Sequence, residues 1–304
     1  MIWDVDMNFD YGDTLKQAAQ MTWRHKSFWV LMTLQMLPSM LMIPLFFFAL
    51  WFLENSRNGV GGVWMVVFVL VLFLLLIASF LLMAYSHSAT TLGVIRVDRG
   101  EENVIFMDLL RDALPFYGRS LGLILSIQLT IGMVFTIIFM FIGLISVVTM
   151  GIGAICAQPI ILVLTPFSML LMAFMEAAQT ALIAENLGVL DSLKRALQVV
   201  REHVWKYVII SLIAYLGTSI VTSFISIPLT LPAVFIAMST ESMSLSDSQT
   251  GMAVMFSMLC CFFPLIFALS GVTQAFIKVT LGLTYLRLAR PAGEQVIALE
   301  EQAP

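Results

Sequence analysis

Apolar positions along the chain fall into six long runs, at 27–53, 63–86, 120–149, 159–184, 205–238 and 252–286, with polar positions gathered in the connections. A bilayer core about 30 Å thick needs roughly 20 residues in helical form, because only a helix satisfies its own backbone groups where water is absent. Each run meets that length, and the longer ones predict tilt or extension beyond the bilayer. The expected fold is an all-α polytopic bundle of six transmembrane helices, forming one integral membrane domain over 1–304 with a short acidic tail at 291–304.

Three of the polar connections carry a second pattern. GDTLKQAAQMTWRHK (12–26), DLLRDALPFYGRS (108–120) and DSLKRALQVVREHVWK (191–206) each lead into a long apolar run. In each, an aspartate (Asp13, Asp108, Asp191) is followed two residues later by leucine (Leu15, Leu110, Leu193), then by a cation (Lys16, Arg111, Lys194), then by alanine (Ala18, Ala113, Ala196). Aspartate at the front caps a helix or meets its dipole. Leu190, Leu193, Leu197 and Val200 recur at helical spacing opposite Asp191, Lys194, Arg195 and Glu202, which predicts an amphipathic helix lying at the headgroup boundary. Trp23, Arg24, Trp29, Arg119, Trp205 and Lys206 stand where interfacial anchors belong. The expectation is a threefold repeat of interfacial helix plus two spans, over about 12–100, 101–188 and 189–290. The alternative is that any basic linker entering a span has this character.

Composition narrows the class. Apolar residues make up 60% of the 304 and charged residues 11%, with a mean hydropathy of +0.98, against roughly 45–50% and 25% in soluble domains. Too little polar surface remains to coat a water-soluble globule. The net charge of -4 leaves no basic stripe for a nucleic-acid partner. Of the 15 Lys and Arg residues, 13 lie in the N-terminal segment, the second and fourth connections and the tail. That asymmetry predicts both termini in the cytoplasm and a place in the inner (plasma) membrane. The first residues carry four aspartates and no basic n-region, so no cleavable signal peptide is expected.

Charges inside a span are costly and usually face protein or water. His87, Glu176 and Lys278 lie two to three helical turns before the basic ends of the second, fourth and sixth runs. Two readings stand: a polar cluster lining a solute or headgroup site, or an interhelical ion pair. The ends themselves resemble one another, with Thr91-Leu92-Gly93 matching Thr280-Leu281-Gly282 and Thr180 a looser counterpart. Small and hydroxyl residues there predict close packing of the three helices. Prolines at Pro38, Pro44, Pro159, Pro166, Pro228, Pro232 and Pro264 predict kinks in the halves away from the basic ends.

Catalytic patterns are missing: the chain holds no GxSxG elbow, HExxH pair or Walker loop. His25 and His203 fall in the interfacial segments, and Cys156, Cys260 and Cys261 have no metal-like spacing. The 21 methionines are scattered and read as adaptable packing. No catalytic residue, metal or cofactor is expected.

The repeats, the TTLGVIRVDRGEE run (90–102) and the closing TLGLTYLRLAR (280–290) resemble a bacterial group. It comprises the membrane domain found ahead of some glycerophosphodiester phosphodiesterases and the related YciC-like six-span proteins. The resemblance implies a helical membrane bundle with cytoplasmic interfacial segments. The phosphodiesterase barrel has no counterpart in this sequence, so no catalytic residue carries over. The expected function is that of a non-enzymatic membrane protein associating with lipids or with other membrane proteins. A transporter for a small solute or lipid is the first alternative, and an intramembrane lipid-modifying enzyme the second.

Overall fold

The computed structural model describes residues 9–42, 44–45, 61–101, 104–149, 152–240 and 248–289. They form α1 (Tyr11–Arg24), α2 (Ser27–Leu34), α3 (Gly61–Asp98), α4 (Phe106–Val148), α5 (Ile152–Ala184), α6 (Val189–Glu202), α7 (Val204–Thr240) and α8 (Ser248–Ala289), and no strand occurs among the described residues. Helix resumes after α2 at 37–42. The interruption falls just ahead of Pro38, which has no N–H to return to the preceding turn.

Among the described residues, five helices are long and apolar enough to cross a membrane: Met65–Asp98, Phe106–Val148, Leu164–Ala184, Val204–Ile227 and Pro264–Ala289. The first apolar run, 27–53, is helical over its early part, and its remainder from 46 lies outside the described residues. The helices overshoot the apolar runs that predict them. With 43 residues, α4 is about 64 Å long, roughly twice the bilayer core. The excess lies at the end carrying Arg96, Arg119, Lys194 and Arg287, hereafter the basic end.

At the basic end α3, α5 and α8 pack against one another. Around them, α2 lies against α3 and α8, α4 against α3 and α5, and α7 against α5 and α8. The contact surfaces are built of small side chains, including Ala89, Ala177, Ala178, Ala181 and Ala275, which let helix axes approach closely. A Cβ on Gly271 of α8 would stand 2.9 Å from the backbone nitrogen of Thr33 and 3.0 Å from its Cα. Glycine is what admits α2 there. Farther out the picture changes. No side chain of α3 from 65 to 83, nor of α4 from 128 to 148, is buried. These lengths present apolar surface on every side, as a helix in lipid does.

The three segments with the Asp-x-Leu-cation pattern all sit at the basic end, with differences from expectation. The first and third are separate helices, α1 and α6. The second is the opening of α4, continuous with the span. Leu109, Ala113, Ser120, Leu123, Ile124 and Ile127 form one buried stripe across the expected boundary, so packing holds both parts as a single rod. The aspartates are not caps. Asp10 caps α1 by accepting from the Asp13 N–H at 3.0 Å, while α4 and α6 begin at Ile105 and Gly188 without a side-chain cap. Asp13, Asp108 and Asp191 lie in the first turn, where a carboxylate meets the helix dipole.

The face of α6 that packs on the chain is its small-residue face, with two of the leucines turned away from the chain. On α6 the residues packed inward are Ser192, Ala196, Val199 and Val200, while Leu190 and Leu197 are 71% and 58% exposed. The close approach of α6 to α5 favours small residues inside and displaces the leucines outward. Counted from each aspartate, the next residue (Thr14, Leu109, Ser192) and the alanine are buried in all three segments, and the cation is exposed in all three.

Candidate functional site

His87 on α3, Glu176 on α5 and Lys278 on α8 meet where these helices pack together. The Lys278 Nζ donates to Glu176 Oε2 at 2.5 Å and to Gln179 Oε1 at 2.8 Å, and lies 2.9 Å from His87 Nδ1. Glu176 Oε1 is 3.4 Å from the same imidazole nitrogen. An ammonium has three protons, and three acceptors surround this one. The network therefore assigns Nδ1 of His87 as an acceptor, with the ring proton on Nε2. All four side chains are buried, Lys278 to 3% exposure and Gln179 to 1%.

Why these helices bring the groups together follows from their sequences. Serine, threonine and alanine flank each charged residue: Ser86, Ser88 and Ala89 on α3, Ala177 and Thr180 on α5, and Thr280 on α8 are all buried. Apart from Ser86, the hydroxyls bond their own helices rather than a neighbour: Thr91 Oγ1 donates to the His87 carbonyl at 2.9 Å and Thr180 Oγ1 to the Glu176 carbonyl at 2.8 Å. With their polarity absorbed locally, these faces pack as small apolar surfaces and leave Lys278 and Glu176 to each other. A buried ion pair withstands desolvation only when both charges are well hydrogen-bonded. Here the cation is saturated.

Nine residues after each of the three lies a charged side chain at the basic end: Arg96, Glu185 and Arg287. Each is held by the residue four positions after the aspartate of a patterned segment. Arg96 Nη2 donates to Asp112 Oδ2 at 2.6 Å, Arg195 Nε to Glu185 Oε1 at 3.4 Å, and Arg287 Nη2 to Gln17 Oε1. Arg287 also donates to Thr14 Oγ1 at 2.7 Å and to Asp13 Oδ2 at 2.9 Å, tying α1 to α8. Tyr285 adds a hydrogen bond of 2.7 Å to Glu185 Oε1. The Thr-Leu-Gly match is not in this register: Gly93 lies six residues after His87, and Gly282 four after Lys278. Gly93 instead admits the Phe28 ring, whose Cε1 would be 2.5 Å from an added Cβ, and Gly282 faces Val94 and Thr180.

The expected interfacial anchors separate into two groups. Trp23 and Trp205 are 71% and 72% exposed, and Arg24 is exposed in the last turn of α1. The other three are half-buried, and Trp23 itself packs edge-on against the Trp29 ring at 5.1 Å. Trp29 donates from Nε1 to the Thr22 carbonyl at 2.7 Å, bracing the α1–α2 junction at His25. Arg119 lies over the Phe116 ring and donates to Asn186 Oδ1 at 2.8 Å and the Leu187 carbonyl at 3.2 Å, closing the end of α5. Lys206 stands 6.0 Å from the Phe9 ring centroid.

Gln179 is the member that sequence reasoning passes over. Its signal is its place three residues after Glu176, one turn along the same helix face. Its Nε2 and the Ser86 Oγ are buried without a hydrogen-bond partner. Among the described residues no three His, Cys, Asp or Glu side chains stand close enough to hold a metal. The side chains of Cys156, Cys260 and Cys261 lie outside the described set. No protein-family model matches the chain, and neither a curated protein nor a solved structure is similar to it.

Proposed function

We propose that this chain is a non-enzymatic, six-span membrane protein with its basic end at the cytoplasm, serving as a structural or accessory component in contact with lipid and other membrane proteins. Its three repeats close into a ring. Support comes from the common spacing of nine residues from His87 to Arg96, Glu176 to Glu185 and Lys278 to Arg287. The patterned helix of each repeat clasps the charged end of the preceding repeat, and that of the first clasps the third. The orientation rests on the concentration of Lys and Arg at one end.

One observation carries the non-catalytic reading: every proton of the Lys278 ammonium has an acceptor, and the group is sealed among three helices. A cation so placed has no free coordination to offer a substrate, and its role is to hold three helices in register. The carrier alternative draws on the unpartnered Gln179 Nε2 and Ser86 Oγ beside it.

Reconstitution into liposomes separates the two. The scaffold reading expects solute leakage no faster than from empty liposomes, and lipid retained through purification in mild detergent. Solute uptake that Glu176→Gln abolishes, with the spectroscopic fold intact, overturns it. The orientation fails if a thiol introduced near position 100 or 195 reacts in intact cells with a membrane-impermeant reagent.

A further inference from the structure

Each patterned segment has one face turned inward, and in α4 and α6 the opposite face carries a common arrangement, of which α1 shares only the cation. Counting from the aspartate, positions one before, three after and six after lie on one side of the helix. In α4 these are Met107, Arg111 and Leu114. In α6 they are Leu190, Lys194 and Leu197, and in α1 Gly12, Lys16 and Ala19 with Trp23 a turn beyond. Met107 is 68% exposed, Leu114 58%, Leu190 71% and Leu197 58%. Lys16, Arg111 and Lys194 are exposed, and none makes an ion pair or hydrogen bond among the described residues.

A face meant only for water would not set large apolar side chains beside an unpaired cation in both α4 and α6. The surroundings supply the occupant. Down α4 the exposed apolar stripe continues from Leu114 to Leu125 and Leu129, and beyond α6 it continues through Trp205, Ile209 and Leu212 into α7. An occupant must therefore pair an anion at the level of the cation with hydrocarbon running toward the apolar belt. We infer that α4 and α6 each bind an anionic phospholipid, its phosphate on Arg111 or Lys194 and its acyl chains along the outward leucines and methionine, giving two like sites at the basic end; Lys16 of α1 lacks the large apolar flank. The neighbouring Asp108 and Asp191 flank the cations without pairing to them, so Arg111 and Lys194 are left to an anionic headgroup. This inference rests on the membrane reading above and names the lipid class it takes.

The test uses the full chain purified from liposomes of mixed phosphatidylglycerol and phosphatidylcholine, with the retained lipids weighed against the bulk ratio. A cation near an anionic surface contributes about a fivefold preference, so the wild type retains phosphatidylglycerol about fivefold over its bulk proportion, and less in high salt. The variant Arg111→Gln, Lys194→Gln retains lipid at the bulk ratio with unchanged helicity, while Arg111→Lys with Lys194→Arg keeps the enrichment. Enrichment that survives the double Gln substitution, or its absence in the wild type, overturns the inference. If the chain disperses in buffer without amphiphile, the membrane reading itself fails, a different outcome from loss of lipid selectivity.

Discussion

Removing one partner of the buried Lys278–Glu176 pair is costly, whereas removing both is tolerated. Lys278→Met leaves the Glu176 carboxylate, 8% exposed, with His87 at 3.4 Å as its remaining neighbour in the cluster. Glu176→Met leaves an ammonium with only the neutral acceptors of Gln179 and His87. Stranding a buried charge in this way costs about 3–5 kcal/mol, a large part of a typical total of about 5–15 kcal/mol. The double substitution strands no charge, and methionine adapts to the space. Its cost should lie below about 3 kcal/mol, so the two changes are non-additive by at least about 3 kcal/mol. The assay is unfolding in mixed micelles on titration with a denaturing detergent, followed by tryptophan fluorescence for the four proteins. A double variant whose cost equals the sum of the singles would refute the argument, because the two groups would then not be compensating each other.

Three further outcomes follow from local geometry. Gly271→Ala forces a methyl against the Thr33 backbone and should destabilise by about 1–3 kcal/mol or more. Gly132→Ala on the open flank of α4 meets nothing within 4 Å and should be neutral or stabilising by up to about 1 kcal/mol in the same unfolding assay. Arg287→Ala removes the donor to Asp13, Thr14 and Gln17 and should free α1, read as faster amide exchange over Tyr11–Arg24 with α6 unchanged. His25, buried at the α1–α2 junction, has its pKa held below the ordinary value by desolvation and secondarily by Arg24. The unfolded chain then takes up a proton near pH 6.5 while the folded chain resists it, so this contribution is present above about pH 6.5 and is lost as pH falls toward the lowered value. Acidification should lower the unfolding midpoint, and His25→Phe should flatten that dependence.

Much of this architecture is legible in the sequence because membrane physics writes it coarsely. Long apolar runs mark the helices, and His87, Glu176 and Lys278 attract notice because charges there are rare. What stays hidden depends on tertiary packing. Nothing local tells that the opening of α4 continues straight into its span, since that depends on Leu109 through Ile127 forming one stripe. The amphipathic reading of α6 turns its leucines toward the headgroup boundary, and Leu190 and Leu197 do face away from the chain, but nothing local tells that Ser192 and Ala196 form the face packed on α5. Gln179 looks like an ordinary polar helix residue until the Lys278 ammonium from nearly a hundred residues away needs its third acceptor. The nine-residue spacing was countable all along, but its meaning required knowing which side chains meet.

The clasp of α1 onto α8 has a consequence for biogenesis. A ribosome makes α1 well before α8 exists, so the helix that Arg287 ties to α8 spends most of synthesis without its seat. Until Arg287 emerges, the buried face of α1, with Ala18 and Met21, has no partner on α8 to cover it. Closure thus waits on α8, and a chain interrupted before it leaves an open apolar flap for quality-control proteases to find.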